Sequence, residues 1–225
     1  MRYFFLFLIG CTHFTKPRMP SADGETRVKI AVIDTGLPVN KKELDPYLCK
    51  IGHKDTTGLG IQDHHGHGTN VAGIIASKLN PKKHCLIIIK WYSKLSHEKE
   101  IYDAFKHAIE SDAKYINFST VGPGAFPQEK QIIEYALKRG IKVVVSAGNK
   151  GANLDIECND YPACYGIKHK NFYVVMAKDA RYSNYGGPAI HQAPGTGVCA
   201  LDICLSGTSQ AAANFTSELV AKENK

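Results

Sequence analysis

The chain is most informative first in what it lacks. It has no Cys-x-x-Cys pair, so a structural zinc site of the usual kind is not expected. No Arg-rich helix and no aromatic-basic motif accompanies its net charge of +7, and the lysines fall in small separate groups (Lys41-Lys42, Lys82-Lys83, Lys168 and Lys170). That pattern argues against nucleic acid and for a solvated surface, with some attraction to anionic membrane. Internal repeats, low-complexity tracts and a recognisable second domain are missing too. The apolar run Tyr3-Phe-Phe-Leu-Phe-Leu-Ile-Gly10 is too short to span a bilayer.

What is present describes an ordinary globular protein. With 225 residues, 44% hydrophobic and 22% charged, the chain has material for a sizeable core and is neither disordered nor a coiled coil. The short apolar run after Arg2 suits the h-region of a signal peptide. It ends in Leu8-Ile9-Gly10-Cys11, a pattern that resembles the lipobox of bacterial lipoproteins, in which the cysteine becomes the lipidated first residue. The expected organisation is therefore a signal peptide over 1–10, a lipidated Cys11 with a polar, Pro-punctuated tether over 11–26, and one folded domain over 27–225. This places the protein in a bacterial cell envelope, membrane-anchored, with ordinary secretion as the alternative. Several acyl chains would be needed for stable anchoring, since one holds only marginally.

Six further cysteines remain: Cys49, Cys85, Cys158, Cys164, Cys199 and Cys204. An even number in an exported protein suggests disulfides. Cys158/Cys164 and Cys199/Cys204 are close enough to staple their own loops, each worth roughly 2 kcal/mol on a loop-entropy model. Buried free thiols are the competing reading, above all for Cys85 at the head of an apolar run.

Along the chain, Val28-Lys-Ile-Ala-Val-Ile-Asp34 reads as a strand buried on both faces and ends in Asp34-Thr35-Gly36. Gln62-Asp-His-His-Gly-His67-Gly-Thr then leads into a small-residue helix from Thr69, with His67 at or near its start. Its clustered histidines lack the helical spacing and the Cys or Glu partners of a metal site. Strands follow at Cys85–Lys90, Lys114–Ser119, Ile141–Val145 and Phe172–Ala177. Helices lie between them at Glu98–Glu110 and Gln128–Arg139. This alternation predicts an α/β fold, a doubly wound three-layer domain around a mainly parallel sheet. Near the end, Gly207-Thr-Ser-Gln-Ala-Ala-Ala213 reads as a turn into a helix, with Ser209 at its start among free backbone N–H groups. Taken singly, Asp34 is a turn former and Ser209 a helix cap.

Taken together and in this order, Asp34, His67 and Ser209 resemble the subtilisin-like serine proteases, or subtilases, whose chain order is Asp, His, Ser. The likeness runs from about residue 28 to the C-terminus. It includes Asn117-Phe-Ser, Ser146-Ala-Gly-Asn149, Tyr182-Ser-Asn-Tyr-Gly186 and Ala193-Pro-Gly195. It implies a serine endopeptidase acting on polypeptides, with Ser209 as nucleophile, His67 as general base and Asp34 as its orienting carboxylate. Asn149 and the Ser209 backbone N–H are the implied oxyanion donors. Ser119, Thr120, Val121 and Gly122 match the edge segment that pairs with extended substrate. With Ala147 and Gly148 they should wall the pocket for the side chain preceding the scissile bond. Lys150 stands at the pocket's mouth, where it is expected to favour acidic side chains.

The departures from the family pattern matter as well. Only a short tether stands where a folding propeptide is usual, so the chain folds unaided or with a separate helper, and a separate inhibitor is a further candidate partner. The link from the His67 helix to the Cys85 strand is short for a calcium loop; no cofactor is required by the resemblance, and calcium dependence is not assumed. Ala213 stands where proline is usual, and little chain follows Lys222. The competing function is a lipid-anchored, non-catalytic scaffold on a protease fold. An α/β-hydrolase esterase would need a Gly-x-Ser-x-Gly elbow, which is absent.

Overall fold

The computed structural model describes residues 25–37, 40, 42–93 and 98–223. Chain order gives β1 (Val28–Asp34), β2 (Lys54–Asp55), α1 (His67–Ala76), β3 (His84–Lys90), α2 (Glu98–Glu110), β4 (Tyr115–Phe118) and α3 (Pro127–Lys138). There follow β5 (Lys142–Ser146), β6 (Phe172–Ala177), β7 (His191–Ala193), β8 (Val198–Ala200), β9 (Ile203–Leu205) and α4 (Thr208–Glu223). A seven-stranded sheet in the order β2-β3-β1-β4-β5-β6-β7 forms the middle layer, and every pairing in it is parallel. The expected doubly wound α/β architecture is therefore present.

Because successive strand residues point to opposite faces, one strand feeds two cores. Ala31 and Ile33 of β1 join Ile87, Ile89 and Phe118 against Phe105 of α2 and Ile133 of α3. Ile30 and Val32 join Leu86 and Ile88 against Ile75 of α1 and Val220 of α4. This two-sided burial explains why β1 and β3 read as continuous apolar runs.

The short elements were not visible in the sequence. Strands β2 and β7 extend the sheet at its two ends, and β8 and β9 form a separate antiparallel hairpin. Helix α3 starts on Pro127, one residue earlier than expected; proline suits a first helical turn because its missing N–H would be unpaired there anyway. Ala213 lies fully buried within α4, so the helix continues through the position where proline is usual.

All six cysteines of the folded body are paired. Cys158–Cys164 and Cys199–Cys204 close their own loops, and Cys49–Cys85 joins the segment before β2 to β3. The free-thiol reading of Cys85 is thereby corrected. Packing also begins earlier than residue 27: Glu25, assigned to the tether, is buried and ion-paired with Arg27, whose guanidinium also reaches the Leu48 and Pro81 carbonyls. The signal-peptide and Cys11 expectations lie outside the described residues.

Candidate active site

A parallel sheet collects the carboxyl ends of its strands along one edge. β1 has β3 on one side and β4 on the other, so the chain leaves these neighbouring strand ends in opposite directions and opens a crevice there. Asp34 ends β1, Ser119 follows β4, and Asn149 lies just past β5. The central sheet thus brings three of the singled-out positions to one edge before any helix is considered.

Helix α1 supplies His67 as its first residue. The Nδ1 of His67 lies 2.7 Å from Asp34 Oδ1, and that same oxygen accepts the Thr35 backbone N–H at 2.8 Å. Asp34 is only 2% exposed, and among the described residues its Oδ2 is buried without a hydrogen-bond partner. The turn after it depends on Gly36, at φ 130°, where an added Cβ would fall 2.4 Å from the Ile61 carbonyl.

Asp63, which the sequence reading passed over, holds the loop that delivers His67. Its Oδ1 accepts the N–H groups of His65 and Gly66 and the Thr35 hydroxyl. Its Oδ2 accepts the Thr69 N–H and hydroxyl. Burial acts to raise the Asp63 pKa, but these donors outweigh it and hold the carboxyl below its ordinary value. The same balance appears with opposite sign at His67. Burial disfavours the imidazolium, yet the charge and hydrogen bond of Asp34, helped by the charge of Asp63, leave its pKa raised. An acid three residues before a glycine in Asp-His-His-Gly was the available signal for this loop-closing role.

Ser209 enters from α4, which packs on the same face of the sheet as α1, as its second residue and only 8% exposed. Its hydroxyl donates to the Ser119 carbonyl at 3.0 Å, while the Ser119 hydroxyl reaches the Ser209 carbonyl at 3.2 Å. No hydrogen bond joins it to His67 among the described residues, so reaching that ring requires the hydroxyl to leave Ser119. Next to it, Thr208 donates through its N–H and its hydroxyl to Asn149 Oδ1, at 2.8 and 3.0 Å. The carbonyl end of the Asn149 amide is thus engaged and its NH2 end is left to donate. Gln210, on the other side of Ser209, donates to Asn70 of α1 at 3.0 Å. Asn70 in turn binds the Val198 and Ile203 carbonyls of the β8–β9 hairpin.

The Subtilase family model (Peptidase S8) matches residues 25–224. The chain belongs to the subtilase family. It is 29% identical over 215 residues to the major intracellular serine protease of Bacillus subtilis (strain 168), covering 85% of this chain and 67% of that protein. Its identity to the intracellular serine protease of Paenibacillus polymyxa is 31%, over 65% of this chain and 50% of that one. The chain thus spans about half to two thirds of the length of these curated relatives. Its fold matches a cold-adapted subtilisin-like serine proteinase with a TM-score of 0.71 at 22% identity, covering 88% of this chain and 76% of that one. A lanthipeptide protease gives 0.70 at 23% identity, covering 84% and 71%.

The segment Ser119–Gly122 follows β4 directly. Ser119 is buried and Thr120, Val121 and Gly122 are part-exposed. Gly122 pairs antiparallel with Tyr161 through reciprocal bonds of 3.0 and 2.9 Å. Thr120, Val121 and Gly122 also border a cleft of about 630 Å³ with Trp91, Phe118 and Tyr161. Ala147, just past β5, is fully buried, and Gly148 beside it is buried as well. Lys150 follows Asn149, but its ammonium lies 2.7 Å from the buried carboxylate of Asp160. Its charge is already matched, which removes the physical basis for the expected preference for acidic side chains.

Among the described residues, the grouping of metal-ligating side chains is Glu25 with Cys49 and Cys85, whose sulfurs are joined to each other. The loop between α1 and β3 runs from Ser77 to Lys83.

Proposed function

We propose that this subtilase is a serine endopeptidase in which Asp34, His67 and Ser209 form the catalytic triad. The observation that carries this reading is the 2.7 Å Asp34–His67 contact, made at the sheet edge that also holds Asn149 and the serine-bearing start of α4. A serine hydroxyl is a weak nucleophile until a neighbouring base takes its proton. Here the hydroxyl exchanges the Ser119 carbonyl for His67 Nε2 as substrate arrives. His67 accepts the proton, Oγ attacks the scissile carbonyl, and Asp34 stabilises the imidazolium through Nδ1. The Ser209 N–H, unpaired in the first turn of α4, and the Asn149 amide NH2 receive the oxyanion. His67 then gives its proton to the leaving amine, and water, activated by the same ring, hydrolyses the acyl-enzyme.

The substrate backbone adds as a strand along Ser119–Gly122, facing Ala147 and Gly148. We also propose export through the signal peptide at 1–10 and anchoring through a lipidated Cys11, with residues 11–24 as the tether of a catalytic domain. No cofactor enters this chemistry; calcium would act on stability if it binds.

A fluorophosphonate probe tests the enzyme reading. Wild-type protein should label and Ser209→Ala should not, whereas folded wild type that fails to label would favour the lipid-anchored scaffold. Mass spectrometry of protein from its native membrane should find acyl chains on Cys11; an unmodified, free N-terminal segment would exclude the anchor.

A further inference from the structure

We propose that Asp160 is the floor of the pocket for the side chain preceding the scissile bond, and that it selects arginine or lysine there. This rests on the peptidase reading above and concerns the substrate class of that same site.

Asp160 sits where the two pocket walls are tied together. The next residue, Tyr161, is bonded in both directions to Gly122, the last residue of the edge segment. On the other side, Gly148 lies so close that a Cβ there would fall 2.9 Å from Asp160 Oδ2 and 2.3 Å from Asn184 Nδ2. Gly148 also has φ 105°, so the wall in front of the carboxylate is glycine by necessity of both space and backbone. A substrate side chain entering between Ser119–Gly122 and Ala147–Gly148 therefore runs towards a carboxylate.

That carboxylate is held ready for a cation. Its Oδ2 accepts Asn184 Nδ2 at 2.6 Å, and Asn184 is fully buried. The same Asn184 amide binds the Ala147 carbonyl and accepts the N–H groups of Lys150 and Ala152, so the aspartate and the wall form one rigid unit. Oδ1 is the oxygen presented to a cation, and a cation already occupies it: Lys150 Nζ at 2.7 Å. The two partners differ sharply in exposure, with side chains 60% exposed for Lys150 and 5% for Asp160. A long, solvated lysine arm thus reaches inward to a buried acid, so Asp160 already pairs with an ammonium on a chain as long as a substrate lysine's.

The energetics then rank the substrates. Stranding a buried carboxylate is expensive, whereas returning an exposed ammonium to water costs little. An arginine or lysine side chain can replace Lys150 on Oδ1 without leaving Asp160 unpaired. An apolar side chain must leave the Lys150–Asp160 pair in place and occupies only the outer pocket. A glutamate either faces Asp160 directly or draws Lys150 away from it, and both are unfavourable.

The test is a peptide series differing only in the residue before the scissile bond: arginine, lysine, leucine or glutamate. Ratios of kcat/KM within one enzyme preparation do not depend on how much of it is folded. Arginine or lysine should exceed leucine by roughly tenfold or more, with glutamate poorest, as expected when a pocket's buried polar group is satisfied by one substrate alone. Asp160→Asn should collapse the arginine-to-leucine ratio towards unity, and Lys150→Met, which keeps the Asn184 bonds but leaves Asp160 Oδ1 unpaired until a basic side chain arrives, should raise it severalfold. Preference for leucine or glutamate, or a ratio unmoved in both variants, overturns the assignment while leaving a working peptidase. Should Asp160→Asn not fold, the wild-type profile and Lys150→Met still decide. Hydrolysis of none of the peptides together with no fluorophosphonate labelling would instead overturn the peptidase reading, and this assignment with it.

Discussion

Gln210 Nε2 donates a 3.0 Å hydrogen bond to Asn70 Oδ1, and both side chains are buried. Gln210 adjoins Ser209 on α4, and Asn70 lies one turn beyond His67 on α1. The bond therefore ties together two helices that pack on the same face of the sheet, and it sets the proposed nucleophile against the proposed base. Replacing Asn70 by Ala strands the Gln210 amide and two hairpin carbonyls, so we expect about 1–3 kcal/mol lost in urea unfolding. At temperatures where the variant remains folded, kcat should fall more than KM rises; an unchanged kcat would assign the bond to stability alone.

The pH dependence of turnover should follow His67. The ring must be neutral to accept the Ser209 proton, and its pKa is raised by Asp34 and Asp63 against the opposing effect of burial. Activity is then lost as pH falls through a midpoint above the ordinary histidine value of about 6.5. Asp63→Asn removes one of the two negative charges, so the acid limb of kcat/KM should move to lower pH. Movement to higher pH would contradict this account.

Asn149→Ala tests the oxyanion donor. Its amide is oriented by Thr208, so removal should lower kcat by on the order of 10²–10³, the magnitude known for such a donor in subtilisin itself, with little change in KM. A change confined to KM would place Asn149 in ground-state binding.

Glu129 predicts a stability that declines with rising pH. Burial raises its pKa to about 7, the hydrogen bond from Tyr165 opposing and the charge of Glu98 adding to the rise. The protonated form is thus favoured in the folded chain. Its contribution is full below the unfolded value of 4.5 and is lost as pH climbs through about 7, by an amount up to about 3 kcal/mol. Glu129→Gln should flatten this part of the stability profile in chemical unfolding between pH 5 and 8, and a profile unchanged by the variant would sink the assignment.

Of the three disulfides, Cys49–Cys85 closes the longest loop, with a sequence separation of 36. On a loop-entropy model its removal as Cys49→Ala with Cys85→Ala costs up to about 4 kcal/mol, against roughly 2 for either short loop. Comparative thermal unfolding of the paired variants checks the ranking.

Much of this protein could be read directly from its chain, because the relevant patterns are local. The continuous apolar runs of β1 and β3, each flanked by helical spacing, are sufficient for a parallel sheet covered on both sides. Asp34, His67, Asn149 and Ser209 each stand in a short motif whose residues shape the turn or helix start that carries them. Other features depended on the assembled fold. β7, β8 and β9 have three residues each, too few to show a period. Asp63 is one polar residue among histidines in the sequence, nothing there singles out Asp160, and the charge of Lys150 reads as free until the fold sets Asp160 against it. The Ser209–Ser119 and Gln210–Asn70 contacts join residues 90 and 140 positions apart. Local chemistry determines which residue can donate, accept or turn. Which donor meets which acceptor across such distances is decided only when the crossovers bring the strand ends together and α1 and α4 pack on the same face of the sheet.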